Sequence, residues 1–268
     1  METIDIKYVQ EMELSILQQI DEICKKHNLR YFLIGGTLIG AARHNGFIPW
    51  DDDLDIAMFR DDYEKFVKIA KSELSSPYLL KDFRYDNNYP RIFAKVFKTD
   101  TDYCSRYYQE ALEEAGIWID VFPIDLIKAK NLKKAKQKAE RRLNLSWVFA
   151  VIDENRNKEN NELSIKTKML SKILRPLPIV ALRKMMVKIY MLDNKKKCKY
   201  ITNYCRGVKA QTMPIECYLP GKYLPFEGQD RLVPQEYHQV LTNSYGDYMK
   251  LPDKEEQAPK HDLVKKNK

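Results

Sequence analysis

The chain has 268 residues, 44% of them hydrophobic, and a formal net charge of +8. That length and apolar content are enough for a packed core and argue against disorder over most of the chain. Five cysteines, odd in number and without a CxxC pair, argue against a disulfide framework or a zinc ribbon and fit a reducing compartment.

Residues 5 to 27 repeat apolar side chains at three- and four-residue steps through Val9, Met12, Ile16, Ile20 and Ile23, which predicts an amphipathic helix ending at "KHN". "YFLI" reads as a short strand, followed by Gly35, Gly36 and a small-residue helix, "TLIGAARH". Next comes "FIPWDDDLDIAMF", which packs four aspartates, Asp51, Asp52, Asp53 and Asp55, into five positions. There Leu54, Ile56 and Met58 alternate with Asp53, Asp55 and Ala57, a period of two that predicts a strand with both acids on one face. "RDDYEKFVKIAKSEL" is helical in pattern, "RIFAKVF" and "GIWIDVF" are strand-like, and "NLKKAKQKAERRLNLSWVFAVI" is a long basic helix. A polar linker is expected over 153–162. The helical pattern then resumes to Asn194, broken at Pro176 and Pro178, where the missing N–H and the ring stop or kink a helix. A last helix is expected to open on Pro234 and stop near Gly246. These mixed elements predict an α+β fold with a helical insertion.

Charge is concentrated in one segment. Leu163 to Leu192 holds seven Lys or Arg (Lys166, Lys168, Lys172, Arg175, Arg183, Lys184 and Lys188) and no acid, so the rest of the chain is close to neutral. Nucleic-acid binding is not expected of it, because a strand-binding surface interleaves its cations with stacking aromatics and this segment has one, Tyr190. No run approaches the roughly 18 apolar residues of a membrane span. Met1 to Glu13 carry acids where a signal peptide has a basic region. A cytoplasmic protein is expected.

Four carboxylates at the mouth of an apolar strand repel one another unless water or cations share the charge. A solvated acidic turn is one reading. A calcium loop starting at Asp51 would need Gly at its sixth position and Glu at its twelfth, but these are Ile56 and Asp62. The second reading is a nucleotide-handling site. Glycines let backbone approach a ligand, N–H groups at the following helix start can bind phosphate oxygens, and an Asp-x-Asp pair can hold Mg²⁺ against them. "IWIDVF" supplies a third acid, Asp120, in a buried-type strand, which could equally be a capped strand end.

"YFLIGGTLIGAARHNGFIPWDDDLDIAM", with "WIDVFPID" downstream and "YGDYMKLP" near the end, resembles the LicD family of bacterial phosphocholine transferases, relatives of fukutin-type proteins in the polymerase-β-like nucleotidyltransferase superfamily. The resemblance is strong through residue 127, fair over 219–261 and weak over 128–216. It implies a nucleotidyltransferase-like mixed β-sheet core flanked by helices. The expected division is a catalytic core over 1–127, a basic helical insertion over 128–218 and a C-terminal segment, 219–268, completing the core. Matched by motif, Asp53, Asp55 and Asp120 take the metal-ligand positions and Asp51 belongs to the same catalytic cluster. Gly35, Gly36 and Thr37 form the phosphate-side turn, and Arg43 and Lys95 fall where the family carries basic residues, which the resemblance implies help offset charge on the donor's diphosphate. Where relatives read "LPP", this chain reads "LPDKEEQAPKHD" with Asp253 second, so the resemblance gives His261 no assured role.

The activity so implied is transfer of phosphocholine, or a similar phospho-alcohol, from CDP-choline or another CDP-alcohol to a hydroxyl of a lipid-linked glycan or teichoic acid precursor. CMP is released, with Mg²⁺, or Mn²⁺ in its place, as cofactor. Trp50, Tyr89, Trp118 and Tyr248 are available to a choline head group. Two alternatives stay open: nucleotidyl transfer with pyrophosphate release, and a non-enzymatic basic module. Peripheral contact with the inner membrane face through 163–192 is also expected, against an ordinary basic face on a core-packing helix.

Overall fold

The computed structural model describes residues 4–106, 116–154, 173–174 and 176–266. Most of the expected linker lies outside these residues. So do Lys166, Lys168, Lys172 and Arg175 of the basic segment.

Helix α1 (Ile6–His27) starts at Asp5, whose side chain accepts from Tyr8 N–H, and ends at Asn28 in the left-handed conformation. Its apolar stripe, Val9 to Ile23, is buried as the spacing predicts. β1 (Phe32–Leu33) leads into α2 (Gly35–His44), then come β2 (Leu54–Phe59) and α3 (Arg60–Glu73). β3 (Tyr78–Lys81), β4 (Ala94–Lys98), β5 (Tyr103–Ser105) and β6 (Ile117–Ile127) follow. Two long helices, α4 (Leu132–Glu154) and α5 (Ile179–Tyr190), pack on each other. The chain then returns through β7 (Tyr200–Thr202), α6 (Val208–Gln211), β8 (Met213–Pro214), the hairpin β9 (Lys222–Phe226) and β10 (Gln229–Val233), α7 (Tyr237–Tyr245) and β11 (Leu263–Lys265).

The main sheet runs β1-β2-β6-β4-β3, with β7 on the far end of β6 and β8 beside β7. β2 and β6 are parallel and the remaining pairs antiparallel. This is the α+β, nucleotidyltransferase-like mixed sheet expected. β4 pairs with β6 as far as Val121 and β7 takes over at Asp125, so Pro123, which has no N–H to give, falls in the gap between them. The described part of 128–218 is tied to this sheet, which it joins through β7 and β8. Asn194 Nδ2 donates to Asp125 Oδ1 at 2.7 Å, and Asn194 Oδ1 accepts from Leu126 N–H at 2.7 Å.

Three local expectations are corrected. The alternation along β2 does not make an open carboxylate face: Leu54 to Met58 are all buried, Asp55 included, because β2 lies inside the sheet between β1 and β6 and helices pack over it. The helix after β1 begins at Gly35 itself, the glycines forming its first turn. The last helix opens at Tyr237 and not at Pro234, since Gln235 and Glu236 N–H groups donate to the carbonyls of Tyr218 and Cys217.

Candidate active site

The acidic loop is positioned from both ends of the chain. Gln10 on α1 donates its amide to the carbonyls of Ile48 (3.2 Å) and Asp51 (2.9 Å), fixing the loop before the aspartates. Asp52 accepts from Lys260 and His261 backbone N–H groups at 2.9 and 3.0 Å, and His261 Nδ1 lies 3.2 Å from Asp52 Oδ1. That contact, first, raises the His261 pKa above its ordinary value. The C-terminal segment is thereby drawn onto the acid cluster, and His261 joins the site.

Strand register does the rest. Parallel pairing of β2 with β6 sets Asp55 opposite Asp120, and antiparallel pairing of β4 with β6 sets Lys95 opposite Asp120. Lys95 forms an ion pair with Asp120, and its ammonium lies 4.6 Å from the Trp118 ring centroid. Asp55 forms an ion pair with Arg206, a residue from the loop after β7. Arg206 Nη2 also donates to Tyr245 Oη at 3.2 Å, and its guanidinium lies 5.3 Å from the Phe122 ring centroid.

The glycines are required by closeness. Gly35 has φ +64°, and a Cβ there would lie 2.6 Å from Arg206 Nη2 and 2.8 Å from Asp55 Oδ2. A Cβ on Gly36 would lie 2.6 Å from Asp51 Oδ2. Two carboxylates thus close on the N-terminus of α2, where the helix dipole favours negative charge. Thr37 is buried behind them and accepts from Asp55 N–H at 2.8 Å.

A cavity of about 740 Å³ opens over this arrangement, lined by Gly36, Asp51, Asp53, Asp55, Arg206 and His261 among others. Arg43 also lines it, but its guanidinium donates to the carbonyls of Tyr248 (2.7 Å) and Lys250 (3.3 Å) and so holds the opposite wall. Asp120, Lys95, Gly35 and Thr37 lie outside the lining. Of the aromatics named from the sequence, Trp50 and Tyr248 line the cavity. Tyr89 does not: it is fully buried, its hydroxyl donating to the Phe93 carbonyl. Trp118 is buried beside Lys95 and edge-on to His261.

Burial first, and then the neighbouring carboxylates, push Asp51, Asp53 and Asp55 above the usual carboxylate range, with Arg206 opposing the rise at Asp55. Glu13, wholly buried on α1 with Oε2 lacking a hydrogen-bond partner, is pushed well up by burial and then by Asp53. This donor set suits a hard divalent cation, being oxygen-rich and held high in free energy by desolvation and like charge. Among the described residues, Asp52, Asp53 and His261 bring ligand atoms within 4.8 Å of one another. Asp53 therefore belongs both to that group and to the set matched by motif, whose other members, Asp55 and Asp120, are each held by a cation.

A family model described as "LicD/FKTN/FKRP, nucleotidyltransferase domain" matches residues 28–146. The lipopolysaccharide cholinephosphotransferase LicD of Haemophilus influenzae is 32% identical over 268 residues, 97% of this chain and 97% of that protein. The chain belongs to the LicD family. Human ribitol 5-phosphate transferase FKRP is 42% identical over a shorter stretch of 48 residues, 18% of this chain and 10% of that protein. In this LicD-family chain the nucleotidyltransferase match ends before Arg206, Tyr245, Lys260 and His261, all of which line the cavity. Sequence reasoning passed over Arg206 because nothing local marks it. Its partner Asp55 is 151 residues away, and the only nearby signal is Gly207, at φ +90°.

Proposed function

We propose that this protein transfers phosphocholine, or a similar phospho-alcohol, from a CDP-linked donor to a hydroxyl of a cell-surface glycan or teichoic acid precursor. The observation that carries the reading is the cavity in which Asp51, Asp53 and Asp55 meet Arg206 at the N-terminus of α2, in a chain alike over nearly its whole length to a cholinephosphotransferase. The acceptor oxygen attacks the phosphorus that carries the alcohol, the bond from that phosphorus to the oxygen bridging to CMP breaks, and CMP leaves with the electron pair. Mg²⁺, or Mn²⁺ in its place, held by Asp53 and Asp55 with Asp120 completing the set, would neutralise the diphosphate oxygens.

Arg206 stands where it can turn from Asp55 toward the diphosphate, and the N–H groups of the α2 first turn can meet phosphate oxygens. Asp120, ion-paired with Lys95, could instead receive the acceptor's proton. Trp50, Tyr245 and Tyr248 also line the cavity, with Asp247, Asp253 and Glu256, groups that suit a cationic head group. A quaternary ammonium gains about 0.5 to 2 kcal/mol from a well-placed ring. No helix among the described residues is long and apolar enough to cross a membrane. A lipid-linked acceptor would be met at the inner membrane face, with the basic segment 163–192 as the contact.

The test is incubation with a panel of CDP-alcohols and Mg²⁺, scoring CMP release with and without glycan. Acceptor-stimulated CMP release is expected. Pyrophosphate release from CTP in its place would assign nucleotidyl transfer instead.

A further inference from the structure

Arg206 lines two cavities. Besides the one over the aspartates it lines a groove of about 640 Å³, whose other walls are Glu140, Leu143 and Asn144 of α4 and Gly207 with Val208, Lys209 and Ala210 at the start of α6. Residues 140, 143, 144 and 147 are spaced i, i+3, i+4, i+7 and so share one face of α4. The last of them is Trp147, 59% exposed, one turn beyond Asn144 on that face and just outside the residues that line the groove. On the facing side Lys209 reaches Glu140 at 3.7 Å, and Gly207 is exposed, with nothing within 4 Å of where a Cβ would stand.

We infer that this groove binds the carbohydrate of the acceptor, with Trp147 as the platform for a sugar ring and Asn144 as its hydrogen-bonding partner. The inference rests on the phospho-alcohol transfer proposed above. In phosphoryl transfer the attacking and leaving oxygens lie roughly in line through phosphorus, so a donor seated over the aspartates needs a second approach for the acceptor. The groove supplies it, since Arg206, the ion-pair partner of Asp55, lines both cavities. A carbohydrate suits the walls: an indole presents a flat apolar face to the C–H groups of a pyranose, while amide and backbone groups serve its hydroxyls.

The experiment uses the full chain with CDP-choline and, as probes, deacylated lipopolysaccharide oligosaccharide and a lipid-free teichoic acid fragment. Because Trp147 is largely exposed, Trp147→Ala is expected to fold normally and to bind CDP like the wild type by calorimetry. Its KM for the oligosaccharide should rise about tenfold, with kcat at saturating acceptor largely kept. Trp147→Phe, which retains a flat ring, should recover most of the loss. In parallel, oligosaccharide titrated alone should change the tryptophan emission of the wild type and leave that of Trp147→Ala unmoved. Failure of the wild type to release CMP from any CDP-alcohol would strike the proposed function, while the fluorescence titration would still judge the groove. Wild-type turnover with an unaltered KM in Trp147→Ala, or no emission change with either probe, overturns the inference. So does a loss confined to lipidated acceptor, which would assign Trp147 to the bilayer.

Discussion

Replacing Arg206 by Gln separates two roles for the ion pair with Asp55. Asp55 is 4% exposed and the Arg206 side chain 21%, so solvent screens the contact only in part. A hydrogen bond to a charged group contributes about 1.5 to 3 kcal/mol, and the lower end applies here because Asp55 can relieve an unpaired charge by taking up a proton. If Arg206 shares Asp55 with a metal ion and then serves the diphosphate, its loss acts in opposite directions on two ligands. Mn²⁺ alone should bind roughly tenfold more tightly, since about 1.4 kcal/mol of competing interaction is gone. CDP should bind roughly tenfold more weakly. Arg206→Lys, which keeps the charge but not the fork that also reaches Tyr245, should fall between. Calorimetry with Mn²⁺ and with CDP, beside a melting curve, makes the comparison. Parallel weakening of both ligands together with a large drop in Tm would refute the reasoning and leave Arg206 as a brace.

Asp53→Asn should abolish turnover yet raise the Tm of the metal-free protein at pH 8 by roughly 2 to 4 °C, the shift for about 1 kcal/mol in a chain of this size; near-normal activity at saturating Mg²⁺ removes Asp53 from the metal site. Gly36→Val should block CDP-alcohol binding, because a Cβ there would lie 2.6 Å from Asp51 Oδ2, and unchanged affinity by calorimetry would contradict it. Burial and like charge raise Asp53 and Asp55 to about 7, so between about pH 4 and 7 the folded chain holds more protons than the unfolded one. Metal-free stability should therefore fall as pH rises through 7, and His261, raised by Asp52, adds in the same direction. The Tm gain from Mg²⁺ should be larger at pH 8 than at pH 6, and a flat Tm profile over that range counts against the cluster. Vesicles of anionic lipid should float the protein at low salt, less so as salt rises and less when Lys166, Lys168, Lys172 and Arg175 are changed to Gln; protein left in solution ends the membrane reading.

How much was legible divides along the range of the interactions. α1 is set by its own apolar spacing and by Asp5 and Asn28 at its ends, so a local reading finds it nearly to the residue. The Gly-Gly turn and the acidic loop are likewise neighbours in sequence, and their chemistry shows as a motif. Asp120 was legible as an acid in an apolar strand, but its place opposite Asp55 depends on β2 and β6 being parallel, a fact of sheet topology that no window of sequence contains. Lys95 was read toward the diphosphate, whereas register sets it against Asp120. Arg206, Tyr245 and His261 reach the site only because β7 docks on the end of β6 and the C-terminal segment folds back onto Asp52. None of these returns leaves a periodic trace.

The two signs of charge in the site differ in the same way. Its acids are mostly local: Asp51, Asp52, Asp53 and Asp55 lie within five residues. Their partners come from far apart: the Lys95 ammonium from β4, the Arg206 guanidinium from the loop after β7, and the His261 ring with the Lys260 and His261 N–H groups from the approach to the last strand. A partly folded chain therefore exposes a cluster that repels itself, and burying that cluster becomes tolerable only when all three returns are in place. The acid loop thus couples the C-terminal segment and the segment before β8 to the sheet, through charge as well as packing. Each of these segments also lines the cavity, so the contacts that make the acidic loop stable enough to bury are the ones that form the cavity's walls.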